Sequence, residues 1–211
     1  MPSAAPRTRA RPETRQRILA AARELFVRQG YEATTMRAIA DAIGYTPTAI
    51  YHHFRGKEEL LTELCAQDFK ALAVAFQRVG RIEDPLERLR RTGSAYVEFA
   101  LAHPMQYQLM FMTRRPPLVG MRKGLGDPKE DAYAFLRETC QALVASGQLR
   151  PELRDPDEVA QMCWSSLHGL MSLHIVHRDL DESEVELREP RATAARMSDA
   201  LVRGMLRSAG S

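Results

Sequence analysis

The sequence has no apolar run approaching the roughly 20 residues that a bilayer-spanning helix needs. Its opening stretch, MPSAAPRTRARPETRQR, is basic but lacks the apolar segment of a secretory signal. Both absences point to a cytoplasmic chain with no membrane contact. Cysteine is scarce: Cys65, Cys140 and Cys163 stand far apart and form no C-x-x-C pair, so neither a zinc knuckle nor a dithiol redox motif is written here. Reduced, buried thiols are the expectation. G-x-S-x-G, the P-loop and H-E-x-x-H are all missing, which leaves no enzyme class indicated and no cofactor expected. Any convincing run of alternating β-branched residues is missing too, so strands are not expected.

What is present is 211 residues, 45% of them apolar, enough to bury a substantial core in one large domain or two small ones. The net charge of +3 is unevenly spread. Residues 1–57 hold ten Lys and Arg against four Asp and Glu, or +6, and the remainder holds twenty against twenty-three, or −3. A basic front end on a mildly acidic body suits a polyanion partner for the front end alone.

Nearly every periodic segment repeats at helical spacing, so the chain is expected to be all-α. After a Pro- and Arg-rich arm over residues 1–11, read as disordered, a helix is expected over residues 12–29, with Ile18, Leu19, Ala22, Leu25 and Phe26 as its apolar stripe and Gly30 at its end. Thr35 is placed to cap a second helix carrying Met36, Ile39, Ala40 and Ile43, which Gly44 ends. Thr46 then caps a short third helix starting at Pro47, where Ile50 and Phe54 share the buried side. A long helix runs from Lys57 to about residue 78. Further helices are expected over 85–102, 104–112, 128–146, 156–177 and 191–207.

Two helices joined by a tight turn at Gly44, the second short and polar on its open face, fit a helix-turn-helix whose second helix enters the major groove. Adjacent His52 and His53 point about 100° apart on a helix, which suits a shared metal ion poorly. His52 is better placed to reach DNA, and His53 to pack. The arm's Arg7, Arg9 and Arg11 could follow the DNA backbone or a minor groove, or serve as a solubilising tail.

The stretch RILAAARELFVRQGYEATTMRAIADAIGYTPTAIYHHFRGKEELL closely resembles the DNA-binding domain of the tetracycline-repressor (TetR) family of bacterial regulators, over about residues 14–62. The resemblance implies three domains: the arm 1–11, a helix-turn-helix DNA-binding domain 12–57, and a helical effector-binding and dimerisation domain 58–211. It also implies that Thr35, Tyr51 and Lys57 contact phosphates, while Arg37, Thr46, Pro47, Thr48 and His52 approach bases or the flanking backbone. Many relatives carry Gly and a hydroxyl residue where this chain has Thr48 and Ala49.

In such a family the C-terminal part dimerises through its last two helices and encloses an effector pocket. Here that expectation falls on Val159, Cys163, Leu167, Leu170, Met171 and His174, and on Met197, Leu201 and Met205, although stripes of this kind equally serve an intrachain core. Tyr107, Met110 and Phe111, with Trp164 and His168 of a W-x-x-x-H-G pattern, would line a mainly apolar pocket. His168 is either a ligand anchor there or a satisfied core histidine beside Trp164. His103, His174 and His177 have no carboxylate or thiol at a ligand spacing, so no metal is expected. The expected protein is therefore a homodimeric, ligand-responsive repressor of double-stranded operator DNA. The alternative is a DNA-bound adaptor whose body holds another protein and no effector.

Overall fold

The computed structural model describes residues 7–113, 126–177 and 186–207, with side chains from residue 12 onward. Its helices are α1 (Arg7–Gln29), α2 (Met36–Ala42), α3 (Pro47–Tyr51), α4 (Lys57–Gln77), α5 (Pro85–Ala102), α6 (Pro104–Tyr107), α7 (Ala132–Ala145), α8 (Pro156–His177) and α9 (Pro190–Met205). A π-helical stretch, Gln108–Met112, continues α6. Among the described residues there is no strand, only a bridge between Leu149 and Leu206.

The helix starts explain themselves by side-chain caps. Acidic residues followed by proline open α5 and α9: Asp84 accepts from the Leu86 and Glu87 amides, and Glu189 from those of Arg191 and Ala192. The carboxylate satisfies amides that have no partner within the helix, and proline at the first position forfeits no bond. Asp131 does the same for α7 by accepting from Tyr133 and Ala134, so that helix begins at Ala132 and not at 128. At the other extreme, α1 begins five residues before Pro12, the expected start. Proline within the helix removes its own backbone donor and crowds the carbonyl four residues back, yet the helix continues on both sides of Pro12. The side chains of Arg7, Arg9 and Arg11 lie outside the described residues.

The chain forms two compact units that divide α4 between Asp68 and Phe69, not near residue 57; the first unit regains the chain at Met105, and Phe69–Pro104 falls in the second. In the first, Ile18, Leu19, Ala22 and Phe26 of α1 are buried, as are Ile39, Ile50, Phe54, Leu60, Leu61 and Leu64. Arg23 of α1 makes a two-pronged ion pair with Asp68 (2.5 and 2.8 Å), and Gln106 donates to the same carboxylate at 3.0 Å. These polar links keep the first turns of α4 and the stretch after Pro104 with α1.

In the second unit, α5, α7, α8 and α9 close around Leu89, Leu143, Val159, Ala160, Val202 and Met205. Cys140 and Cys163 lie in the same core as free thiols. The neighbouring Cys163 thiol, together with burial, raises the Cys140 thiol above the usual range. Of the residues set out for a possible dimer face, Val159, Cys163, Leu167, Met171 and Met205 are buried within their own chain, while Leu170, His174, Met197 and Leu201 are half-buried. Periodicity marks an apolar face without saying whose partner covers it.

Candidate nucleic-acid interface

The helix-turn-helix is built by backbone bonds at the end of α2. Gly44 donates to the Asp41 carbonyl at 3.2 Å and Tyr45 to that of Ala40 at 3.0 Å. That closure puts Gly44 at φ +71°, a left-handed conformation that glycine adopts without a side-chain clash. α2 buries Met36, Ile39 and Ala40, and α3 buries Ile50. α3 ends at Tyr51, so His52 caps the helix instead of continuing it, and the His53 and Phe54 amides both donate back to the Ile50 carbonyl.

With those apolar residues turned inward, Thr35, Arg37, Thr46, Thr48, Tyr51 and His52 are all exposed, and Pro47 is half-buried. Thr35 and Thr46 each accept a backbone N–H, from Ala38 at 3.1 Å and from Ala49 at 3.3 Å. Each hydroxyl oxygen is thus occupied as an acceptor while its O–H stays available as a donor. The Arg37 side chain is 83% exposed, and its Nε is 4.0 Å from Asp41, a loose surface pair that leaves the guanidinium fork open. Tyr51 is 54% exposed despite its ring. Such a surface offers hydroxyl, phenol and guanidinium donors to an anionic or acceptor-rich partner.

Lys57 is the exception among the expected contacts. Its ammonium donates to the carbonyls of Tyr31 at 3.0 Å and Glu32 at 3.1 Å, lies 4.5 Å over the Tyr31 ring and faces the Glu32 carboxylate at 3.8 Å. The side chain therefore fastens the α1–α2 loop to the start of α4, with one N–H left over. The Tyr31 phenol beneath it is raised above its ordinary pKa by burial, with the Glu58 and Glu32 carboxylates adding to the shift.

Three arginines of α1 that sequence reasoning passed over do similar work. Arg15 donates to the His53 carbonyl at 2.7 Å, pairs with Glu63 and lies 4.0 Å over the Phe54 ring. Arg17 donates to the Ile43 carbonyl at 3.2 Å and reaches the Tyr45 hydroxyl at 3.4 Å. Arg23 holds Asp68. The sequence shows these only as charges on the polar side of α1, because pairings more than 20 residues apart leave no local pattern.

The five residues expected to share a pocket divide between the units. Tyr107 and Met110 are fully buried in the first, where the Tyr107 and Phe111 ring centres lie 4.9 Å apart with the planes tilted by 55°. Trp164 and His168 lie in the second, with ring centres 5.7 Å apart. There Trp164 Nε1 donates to the Tyr96 hydroxyl at 3.4 Å, the hydroxyl lies 3.0 Å from His168 Nδ1, and His168 Nε2 is 3.4 Å from the Ser172 hydroxyl. One assignment satisfies all three contacts: Trp164 N–H to Tyr96 O–H to Nδ1, with the imidazole proton on Nε2 and directed at Ser172. Burial lowers the pKa of His168, in keeping with that neutral ring. Tyr96, the centre of the group, was not singled out in the sequence. Among the described residues, no group of three His, Cys, Asp or Glu could hold a metal ion, and no helix is long and apolar enough to cross a membrane.

Comparison with known proteins agrees with this geometry. UidR of Escherichia coli, an HTH-type transcriptional regulator, is 24% identical over 200 residues, covering 94% of this chain and 95% of its own. The transcriptional repressor AcnR of Corynebacterium efficiens is 39% identical over 70 residues, 33% of this chain and 37% of its own. The solved structure of the ketosteroid transcriptional regulator KstR2 of Mycobacterium tuberculosis shares the fold with a TM-score of 0.67 at 22% identity, covering 92% of this chain and 96% of that one. The family model "Bacterial regulatory proteins, tetR family" matches residues 18–64, and "Tetracyclin repressor-like, C-terminal domain" matches residues 89–201, more than half of the chain. A helix-turn-helix with an exposed polar face, joined to a helical unit that matches along most of its length, identifies the chain as a member of the TetR family of DNA-binding transcriptional regulators.

Proposed function

We propose that the protein is a repressor that binds a palindromic operator as a homodimer and leaves it when a small-molecule effector occupies the second unit. The observation that carries this reading is the exposed arc of Thr35, Arg37, Thr46, Thr48, Tyr51 and His52 on one helix-turn-helix, backed by buried Ile39, Ile50 and Phe54. The hydroxyls of Thr35 and Tyr51 donate to phosphates, joined by the remaining N–H of Lys57. Arg37 reads a guanine, and Thr46, Pro47, Thr48 and His52 meet base edges or the flanking backbone.

One recognition helix of five residues covers too few base pairs for useful specificity, and a two-fold pair reads a palindrome. The partner face is supported by Leu173 and Val176 of α8, each 52% exposed, in line with exposed Gly169. A glycine there lets a second helix come close, and the two large apolar side chains gain by being covered. Effector occupancy favours a conformer in which the two recognition helices are no longer about 34 Å apart, one DNA turn, and operator affinity falls. Trp164 and His168 are the effector-facing residues of this reading. Tyr107, Met110 and Phe111 serve it by packing the first unit.

The test is retention of labelled double-stranded fragments from the protein's own genome over a salt series. Affinity should fall steeply and log-linearly with salt. Absence of salt-sensitive retention on every fragment would overturn the reading.

A further inference from the structure

The second unit holds a cavity of about 220 Å³ where α5 and α8 end. Leu101, Pro104, Ile175 and Leu187 supply apolar wall, and among the described residues the polar side chains that line it are two imidazoles, His174 and His177. His177 Nδ1 is buried and has no hydrogen-bond partner among the described residues. A buried polar atom without a partner is uncommon in a folded protein, and here it lies on a residue that lines a cavity.

The lining decides the class of that group. Among the described residues no carboxylate lines the cavity, so none of them offers a cation a counter-charge there. The nearby Glu189, which senses His174, has its two oxygens committed to the Arg191 and Ala192 amides at the start of α9. Imidazole N–H groups at an otherwise apolar cavity favour an acceptor-ended, negatively charged molecule with an apolar body. The volume is below the roughly 300–1,000 Å³ that holds drug-sized molecules, which limits the body to a few carbons.

We propose that this cavity binds a small monocarboxylate, its apolar part against Leu101, Pro104 and Ile175 and its carboxylate accepting from His177 and His174. The site lies further along the same two helices, α5 and α8, that carry Tyr96, Trp164 and His168. Pro104, one of its walls, is followed directly by Met105, where the chain returns to the first unit. Binding stands without the repressor reading, and its effect on DNA rests on that reading.

Calorimetry on the full-length protein without DNA, using hexanoate and benzoate, with 1-hexanol and hexylamine for comparison, tests the site. Saturable binding of an acid is expected, at least tenfold tighter than that of the alcohol or amine. His177→Leu should weaken it at least tenfold. Leu101→Trp, which fills the cavity, should abolish it with an unchanged circular dichroism spectrum, and decides the matter if the histidine variant does not fold. No saturable binding of either acid, equal binding of hexanoate and hexanol, or undiminished binding in Leu101→Trp overturns the proposal. Operator retention is measured alongside: acid binding without DNA binding leaves the site standing and removes the repressor, and DNA binding without acid binding does the reverse.

Discussion

The two units lean on charge to different degrees, although Arg207 of the second also donates to a backbone carbonyl, that of Leu149. In the first, Arg15, Arg17, Arg23 and Lys57 reach inward to backbone carbonyls and carboxylates, and Asp68, 1% exposed, receives both Arg23 and Gln106. In the second, acids cap helix starts, Arg91–Glu87 and Arg137–Asp157 pair at the surface, and the interior is joined by an aromatic relay through Tyr96. A head whose turn is fastened by specific long side chains tolerates few sequences, because each arginine must reach one particular carbonyl. A body closed by apolar packing tolerates many, because volume and patterning suffice. The difference fits a head that is legible from a short local motif, whereas the body matches its family model only as a whole, over residues 89–201.

Removing one arginine from each unit tests that contrast most strongly. Arg23→Met leaves the buried Asp68 carboxylate without its cation and should cost about 3–5 kcal/mol in urea unfolding. Arg91→Ala removes half of an exposed i,i+4 pair and should cost about 0.3–0.5 kcal/mol. Comparable losses would mean that charge has the same role in both units.

Within the head, residues that shape the fold and residues that meet DNA should separate. Arg37→Ala is expected to lose about 1–3 kcal/mol of preference at one base pair. Its unfolding midpoint should not move, since the side chain has only a loose neighbour. Equal weakening on operator and random fragments would remove Arg37 from base reading. Thr46 sits on both sides of the divide: Thr46→Ala should lose about 1 kcal/mol of stability with its cap and weaken DNA binding as well, whereas Thr48→Ala should affect DNA binding alone. A stable Thr46→Ala protein that nevertheless loses DNA would show that the cap contributes little.

The legibility of the sequence follows the same line. Caps and breaks are local, so Thr35, Thr46, Pro47, Gly44 and the acid–proline steps before α5 and α9 mark helix ends that the structure keeps. The open face of the head follows from α2 and α3 periodicity once Ile39 and Ile50 are placed inside. Long-range pairing is not local, and so the engagement of Lys57, the role of Arg15 and the place of Tyr96 are absent from any window of sequence. The stripe on α8 was visible as apolar, but only packing tells that Met171 turns inward while Leu173 and Val176 turn outward. That Tyr107 and Met110 fall in the first unit and Trp164 in the second follows from the chain passing back into the first unit at Met105, a topological fact without a residue signature.

The smallest expected effect concerns the one titrating group inside the body's relay. Burial holds His168 below the ordinary imidazole pKa of 6.5, so the folded protein keeps the ring neutral where the unfolded chain already takes up a proton. In that window the unfolded state binds more protons, and stability therefore rises with pH. The contribution is complete above about pH 6.5 and is lost as pH falls below it. Melting temperature followed from pH 7.5 to 5.5 should drop further in the wild type than in His168→Gln, which cannot take the proton. Tyr96→Phe should lower melting temperature at both ends of the range, because the Trp164 N–H and His168 Nδ1 lose their shared partner whatever the pH. Parallel pH curves for wild type and His168→Gln would show that the relay is packing alone, and would bring the interior of the second unit closer to an ordinary apolar core than its hydrogen bonds suggest.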